Sequence, residues 1–340
     1  MGRLRFDAPP HPVTRQTRRR YRYSILAVVA SVALISWGGL VTSIDAGLAV
    51  PDWPSSFGSF DPLATGFDDP TDPSARWWHR LPILAEHGHR LLGALVGLLI
   101  LGLALWTWCA DRRRWMRRLG FAALGLVVVQ GILGGLRVIW VSLDLAVVHA
   151  LTAPLFFSLL VALALFISPG WLRAESAVPA SPQTRRLGLL AGATVVALYV
   201  QIILGALLRH PGAGVNLWFA GAHITGAFVV LALILATFSR VQQHFSTYRL
   251  LNRAAWFMLG AVATQLMLGF SAFTILLIET SLAQRSALQV VLNSSHLVVG
   301  TLLLAAAVSL ALLSFRRPPS DGSRAHKPVT IKEPMPLIGS

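Results

Sequence analysis

One cysteine, Cys109, is all the thiol chemistry available to this chain of 340 residues. No intrachain disulfide can form, and no thiolate metal site can be built. Charge is scarce too: 13% of the residues are Asp, Glu, Lys or Arg, and only 14 are acidic. Soluble domains carry about 25% charged residues, so a soluble core is not what this composition describes. Apolar residues fill the chain instead, at 55% of the total with a mean hydropathy of +0.64, which is membrane composition.

Eight apolar runs are long enough to cross a bilayer, which takes about 20 residues: Tyr23–Ser43, Leu81–Trp108, Leu119–Val138, Leu145–Ile167, Leu187–Leu208, Leu217–Ser239, Ala254–Ile278 and Leu288–Phe315. The expected fold is therefore an all-α integral membrane protein. Arginines set its orientation. Arg15, Arg18, Arg19, Arg20 and Arg22 precede the first run, and Arg112, Arg113, Arg114, Arg117 and Arg118 separate the second from the third. Arg173, Arg185, Arg186, Arg249, Arg253, Arg316, Arg317 and Lys327 continue the same side. Positive residues stay in the cytoplasm, so both termini are expected inside a bacterial plasma membrane. The formal net charge of +15 is this topology signal, with some attraction to anionic lipid, and requires no nucleic acid.

Residues 1–23 read as a basic cytoplasmic segment and 316–340, rich in Pro, Ser and Lys, as a disordered tail. Residues 44–80 form the only long connection. This loop is expected to be external, and it holds Asp45, Asp52, Asp61, Asp68, Asp69 and Asp72 as well as Trp77 and Trp78. Loops of that length are usually functional or disordered.

The chain repeats itself. Gln130-Gly-Ile-Leu-Gly134, Gln201-Ile-Ile-Leu-Gly205 and Gln265-Leu-Met-Leu-Gly269 occupy the third, fifth and seventh runs, with Trp37-Gly-Gly39 as a degenerate copy in the first. Each even run then carries one histidine: His89, His149, His223 and His296. Two four-helix halves built on one plan are expected, residues 24–167 and 187–315, joined by a cytoplasmic linker over 168–186. The histidines lie about five to ten residues into their helices, in one band of the bilayer. Small residues stand close after each: Gly93, Thr152 and Ala153, Gly226, and Gly300. Histidines inside helical bundles hold haem iron, and small neighbours let a macrocycle approach. Zinc is the other metal that favours imidazole, but His149, His223 and His296 have no acidic or thiolate set near them. Two bis-histidine haem sites, one per half, are the simplest pairing.

Leu84-Ala-Glu-His-Gly-His-Arg-Leu-Leu-Gly-Ala-Leu-Val-Gly97 adds ionisable groups to one of these sites. Glu86, His89 and Arg90 share a helix face, with Gly93 and Gly97 continuing the line. This arrangement suits a large flat ligand, or else a charge cluster that pins a helix start. Arg90, Arg137 and Arg209 stand at outer helix ends, where they could pair with haem propionates or snorkel to headgroups. His87 points off the Glu86/His89 face, and His79 and His210 lie in or at the edges of loops.

Eight spans, Glu86-x-x-His89-Arg90 in the second, single histidines in the fourth, sixth and eighth, and Gly47-Leu-Ala-Val-Pro-Asp-Trp-Pro54 in the loop together resemble the haem A synthase family. The resemblance covers residues 24–315. It implies an oxidoreductase that converts the C8 methyl of haem O to a formyl group by successive hydroxylations, yielding haem A for cytochrome oxidase. It also implies that His89 and His149 hold the substrate haem, that His223 and His296 hold a resident haem b, and that Glu86 is catalytic. Haem O synthase and cytochrome oxidase assembly factors are the implied partners. Many bacterial relatives carry a cysteine pair in the first loop, where this chain has Val50 and Ser56. Other readings of the same residues are a dihaem electron-transfer protein linked to quinol, and a haem transporter or chaperone.

Overall fold

The computed structural model describes residues 13–63, 66–67, 72, 74–173, 178–209, 217–278 and 286–316, without the side chains of 209, 276 and 277. His11, His210, His326 and the C-terminal tail lie outside them. Among the described residues the chain is helical: α1 (Arg15–Ser43), α2 (Leu81–Ala110), α3 (Arg114–Ile139), α4 (Leu143–Ile167), a four-residue α5 (Pro169–Leu172), α6 (Pro182–Arg209), α7 (Leu217–His244), α8 (Arg249–Ile278) and α9 (Ala287–Phe315). Eight of these are long and apolar enough to span a membrane, as the hydrophobic runs predict.

The helices extend past the apolar runs at their arginine-rich ends. α1 begins at Arg15, because the Thr14 hydroxyl accepts the backbone N–H of Thr17 and caps the helix there. Long arginine stems can then cover apolar surface while their head groups reach water.

Packing repeats between the halves. α1–α2, α2–α3, α3–α4 and α1–α4 are in contact, and so are α6–α7, α7–α8, α8–α9 and α6–α9. The halves meet where α4 packs on α9, flanked by α1–α9 and α4–α6. A helix apolar on every side is one that can be buried, and α4 and α9 are the two most enclosed spans. Phe157, Leu160 and Leu163 of α4 and Leu303, Ala307 and Leu310 of α9 are all but inaccessible.

The arginine-rich end is tied together through Asp111, the residue that caps α2. Its carboxylate accepts from Arg20 of α1 at 2.8 Å and from Arg113 at 3.0 and 2.8 Å, and its carbonyl accepts from Arg117 at 2.6 Å. Burial works against ionisation of Asp111, but the hydrogen bonds and charge of Arg113, with the charge of Arg20, hold its pKa below the usual carboxylate value. Removing one partner of a buried ion pair leaves the other uncompensated. Asp111→Asn is accordingly expected to destabilise the detergent-solubilised protein by on the order of 3 kcal/mol, seen as a lower melting temperature at neutral pH. A depressed folded-state pKa contributes stability above the unfolded value of about 3.9 and loses it as pH falls through the folded value. The gap between wild type and variant should therefore persist down to about pH 4 and close only below it.

Candidate functional site

All four histidines come to the end of the bundle opposite Asp111, roughly two turns inside their helices. Each imidazole lies against a glycine of the preceding span. A Cβ placed on Gly38, Gly134, Gly205 or Gly269 would stand 2.9, 3.3, 3.1 or 2.9 Å from Cε1 of His89, His149, His223 or His296, respectively. In the second half the rings of His223 and His296 are neighbours in an edge-on arrangement, centroids 6.3 Å apart and planes at 62°. In the first half His149, Arg137 and Arg90 all lie within electrostatic reach of His89.

The start of α2 bears the residues that hold the long loop. Glu86 is 5% exposed, yet both of its oxygens are engaged: Oε1 accepts from Arg90 Nη2 at 2.8 Å and Oε2 from the backbone N–H of Val50 at 2.9 Å. Arg90 donates further to the carbonyls of Asp52 (2.6 Å), Ser55 (3.0 Å) and Val50 (3.1 Å). The guanidinium that the sequence offers to a propionate also holds the loop. Val50 and Ser56 are both buried and both gathered around Arg90. Asp52 turns the loop by accepting from the Ser55 hydroxyl and from the N–H groups of Phe57 and Gly58. Burial opposes its ionisation, but these bonds outweigh that and hold its pKa below the ordinary carboxylate value.

Two further residues of this cap escape a reading of spacing alone. His87 is 4% exposed, with Nδ1 3.0 Å from the Ser56 hydroxyl, Nε2 3.0 Å from the Pro62 carbonyl, and its ring edge-on to Trp77. The Trp53 ring packs directly on Gly135 of α3, next to the glycine that receives His149. The Pro-Asp-Trp-Pro run was the only sequence signal for Trp53. His87 had none, since its partners are a hydroxyl and a carbonyl far along the chain.

Arg137, in the last turn of α3, lies with its guanidinium over Gly47, and its buried Nε has no hydrogen-bond partner among the described residues. Arg209 ends α6, and its side chain lies outside the described residues. Gly93 and Gly97 have nothing within 4 Å of where a Cβ would stand, so space lies beside that face of α2. The small residues after the other histidines are used differently. Gly226 and Gly300 make room for the amides of Gln201 and Gln265, and Thr152 accepts from Gln130 at 3.0 Å.

These residues can be tested for their fit to haem. Two imidazoles that share one metal, each nitrogen about 2 Å from it, have ring centroids about 6 Å apart, the span His223 and His296 show. Nδ1 of His89, His149 and His223 is buried without a hydrogen-bond partner among the described residues. Among the described residues no three His, Cys, Asp or Glu side chains converge. A metal held here by two histidines would take its remaining donors from a macrocycle, and the residues fit that group.

A family model described as cytochrome oxidase assembly protein matches residues 21–221, more than half of the chain. The chain belongs to the cytochrome oxidase assembly protein family. The match takes in Glu86, His89, Arg90, Arg137 and His149, the residues of the charged half. Curated relatives point the same way. The chain is 33% identical over 245 residues to the heme A synthase of Methylorubrum populi, 30% over 195 to that of Exiguobacterium sibiricum and 31% over 219 to that of Methylobacterium nodulans. These alignments cover 63%, 56% and 58% of this chain and 61%, 59% and 59% of the relatives, so it spans about three-fifths of their length. With eight spanning helices and these bacterial relatives, this member of the cytochrome oxidase assembly protein family is a multi-pass bacterial membrane protein.

Proposed function

We propose that this protein is a haem A synthase, oxidising the C8 methyl group of haem O to a formyl group. The observation that carries this reading is an asymmetry between two halves of one design. The same order of helix contacts in both halves, with the Gln-x-x-x-Gly repeat as register, sets His89 against His223 and His149 against His296. At the positions of Glu86, Arg90 and Arg137 the second half then has Ala220, Ile224 and Ala272. Each half keeps the histidines, but only the first adds a carboxylate and two guanidinium groups. Burying such groups is costly; together with the loop that Glu86 and Arg90 hold, they distinguish one histidine site from the other, as an enzyme reacting on one of two haems requires.

On this reading His89 and His149 hold the substrate, haem O, and His223 and His296 hold a resident haem b. Bound there, haem b would supply one-electron redox chemistry. The chain's own residues do the rest. The loop clasped by Glu86, His87 and Arg90 closes the histidine end of the first half, and Trp53 seals it against α3, which keeps bulk water from the reacting edge. Arg137, whose Nε is without a partner, is placed to receive an anionic edge of the ligand. Arg209, at the end of α6, is a candidate for the same role in the second half, at a different place in the repeat. Glu86 lies one turn from His89, where a carboxylate can take a proton or stabilise positive charge on the oxidised carbon. The arginine-rich end faces the cytoplasm, and haem O synthase and oxidase assembly factors are the expected partners.

The test is to extract and chromatograph haem from cells that express this chain with a source of haem O. A formyl-bearing haem, with its shifted spectrum, is the expected product. Recovery of unmodified haem alone would favour the dihaem electron-transfer reading.

A further inference from the structure

The Gln-x-x-x-Gly repeat takes no part in the chemistry above, yet it occurs three times and stands beside a histidine each time. In α3, Gln130 donates to the backbone carbonyl of His149 at 3.3 Å while Gly134, one turn on, lies under the His149 ring. In α6, Gln201 donates to the carbonyl of His223 at 2.6 Å and Gly205 lies under that ring. In α8, the Gln265 amide reaches the His296 ring itself, Nε2 to Nε2 at 3.2 Å, and Gly269 lies beneath it. α1 has Leu34 in the glutamine's place, and there Trp37 takes over the cross-helix bond. Its Nε1 donates to the carbonyl of Ala85 at 2.8 Å, and its neighbour Gly38 receives His89.

We infer that this repeat is a histidine-seating unit: the polar side chain sets the register of two helices, and the glycine receives the imidazole and fixes where its ring points. The four glycines and three glutamines are thus positioning residues, acting on the ligand through the histidine. The physical reason lies in the glycine contacts. A methyl group on Gly38 or Gly269 would stand closer to the ring than real Cβ atoms come, so the imidazole would have to move. The glycines at Gly192 and Gly260, on the same helices as two of the seats, have nothing within 4 Å and so mark no such constraint. Intrinsic preference points the same way, because glycine inside a helix costs about 1 kcal/mol relative to alanine. A cost paid at the same place in all four helix pairs calls for a steric reason, and the histidine supplies one.

The inference rests on the haem reading, and the experiment separates the two. Gly269→Ala and the control Gly260→Ala are purified as full-length protein, and optical and electron paramagnetic spectra of the ferric form are recorded with and without added imidazole. Wild type and Gly260→Ala should show a low-spin bis-histidine signal. Gly269→Ala should lose most of it to a high-spin form, because His296 is pushed off its line. Free imidazole should restore the low-spin signal, since the iron is present and only the protein's own ligand is misplaced. If Gly269→Ala cannot be obtained folded, Gly205→Ala, with a looser contact of 3.1 Å, offers the same readout at His223. A wild-type spectrum in Gly269→Ala would overturn the seating role and leave the haem reading standing. Loss of signal that imidazole does not restore would make the glycine an ordinary packing residue and also overturn it. Absence of haem from wild type and both variants would remove the haem reading, and the seating role with it.

Discussion

Glu86→Gln is expected to leave a folded protein that keeps its resident haem and accumulates haem O or a partly oxidised product. Removing an acid–base group should slow conversion by roughly 10²–10⁴-fold. The structure adds a second consequence. Glu86 accepts one bond from Arg90 and one from the Val50 N–H. A glutamine amide can accept only one of these, and it turns its NH₂ toward the other donor. Some slackening of the loop is therefore expected from the variant, and Arg90→Lys is the comparison that isolates it. Lysine keeps a charge beside Glu86 but cannot reach the carbonyls of Val50, Asp52 and Ser55 together. If Glu86 acts only as an anchor, Arg90→Lys should slow haem O conversion as much as Glu86→Gln does. If its carboxylate takes part in the chemistry, Glu86→Gln should be far the slower of the two. Near-normal haem A formation by Glu86→Gln would remove the residue from the mechanism.

The other large effect concerns which half holds the resident cofactor. Purified protein should show a low-spin b-type spectrum, and His223→Ala or His296→Ala should abolish most of it, because each removes one of two axial ligands. His149→Ala should leave that spectrum largely intact while stopping conversion of haem O. The rings of His223 and His296 already have the separation that a shared iron requires. Were His149→Ala to remove the resident haem while the other two variants kept it, the roles of the halves would be exchanged.

Much of this molecule is legible in its sequence. Long apolar runs are the strongest signal a chain can carry, because in lipid every backbone polar group must be satisfied within the segment and helices are the means of doing so. All eight spans therefore emerged, and the four histidines, one per even span, drew attention for the same reason: polar groups are rare there. Helix ends were less legible. The Thr14 cap and the long arginine stems carry α1 past its apolar run, and hydropathy is blind to both.

The loop was legible as important but not as to how it works. Its anchors are the Val50 N–H and the carbonyls of Asp52, Ser55 and Pro62, and backbone groups of this kind are carried alike by every residue. Arg90, a ligand candidate by its position, gathers three loop carbonyls, while His87, passed over by spacing, is among the most enclosed polar groups of the cap. Nothing in residue type distinguishes a guanidinium that binds a carboxylate ligand from one that binds carbonyls; only the path of the loop decides.

The sequence by itself determined the membrane class, the eight spans, the internal repeat and the placing of one histidine in each even span, because composition and periodicity act locally along the chain. Only the tertiary structure decided that each glycine of the repeat meets a histidine of the next helix, that Glu86 and Arg90 are joined to a loop some 30 to 40 residues away in sequence, and that Trp53 comes to rest on Gly135. Those contacts depend on helix register and loop path, which are set by packing across the whole bundle and leave no mark on the spacing of any one segment.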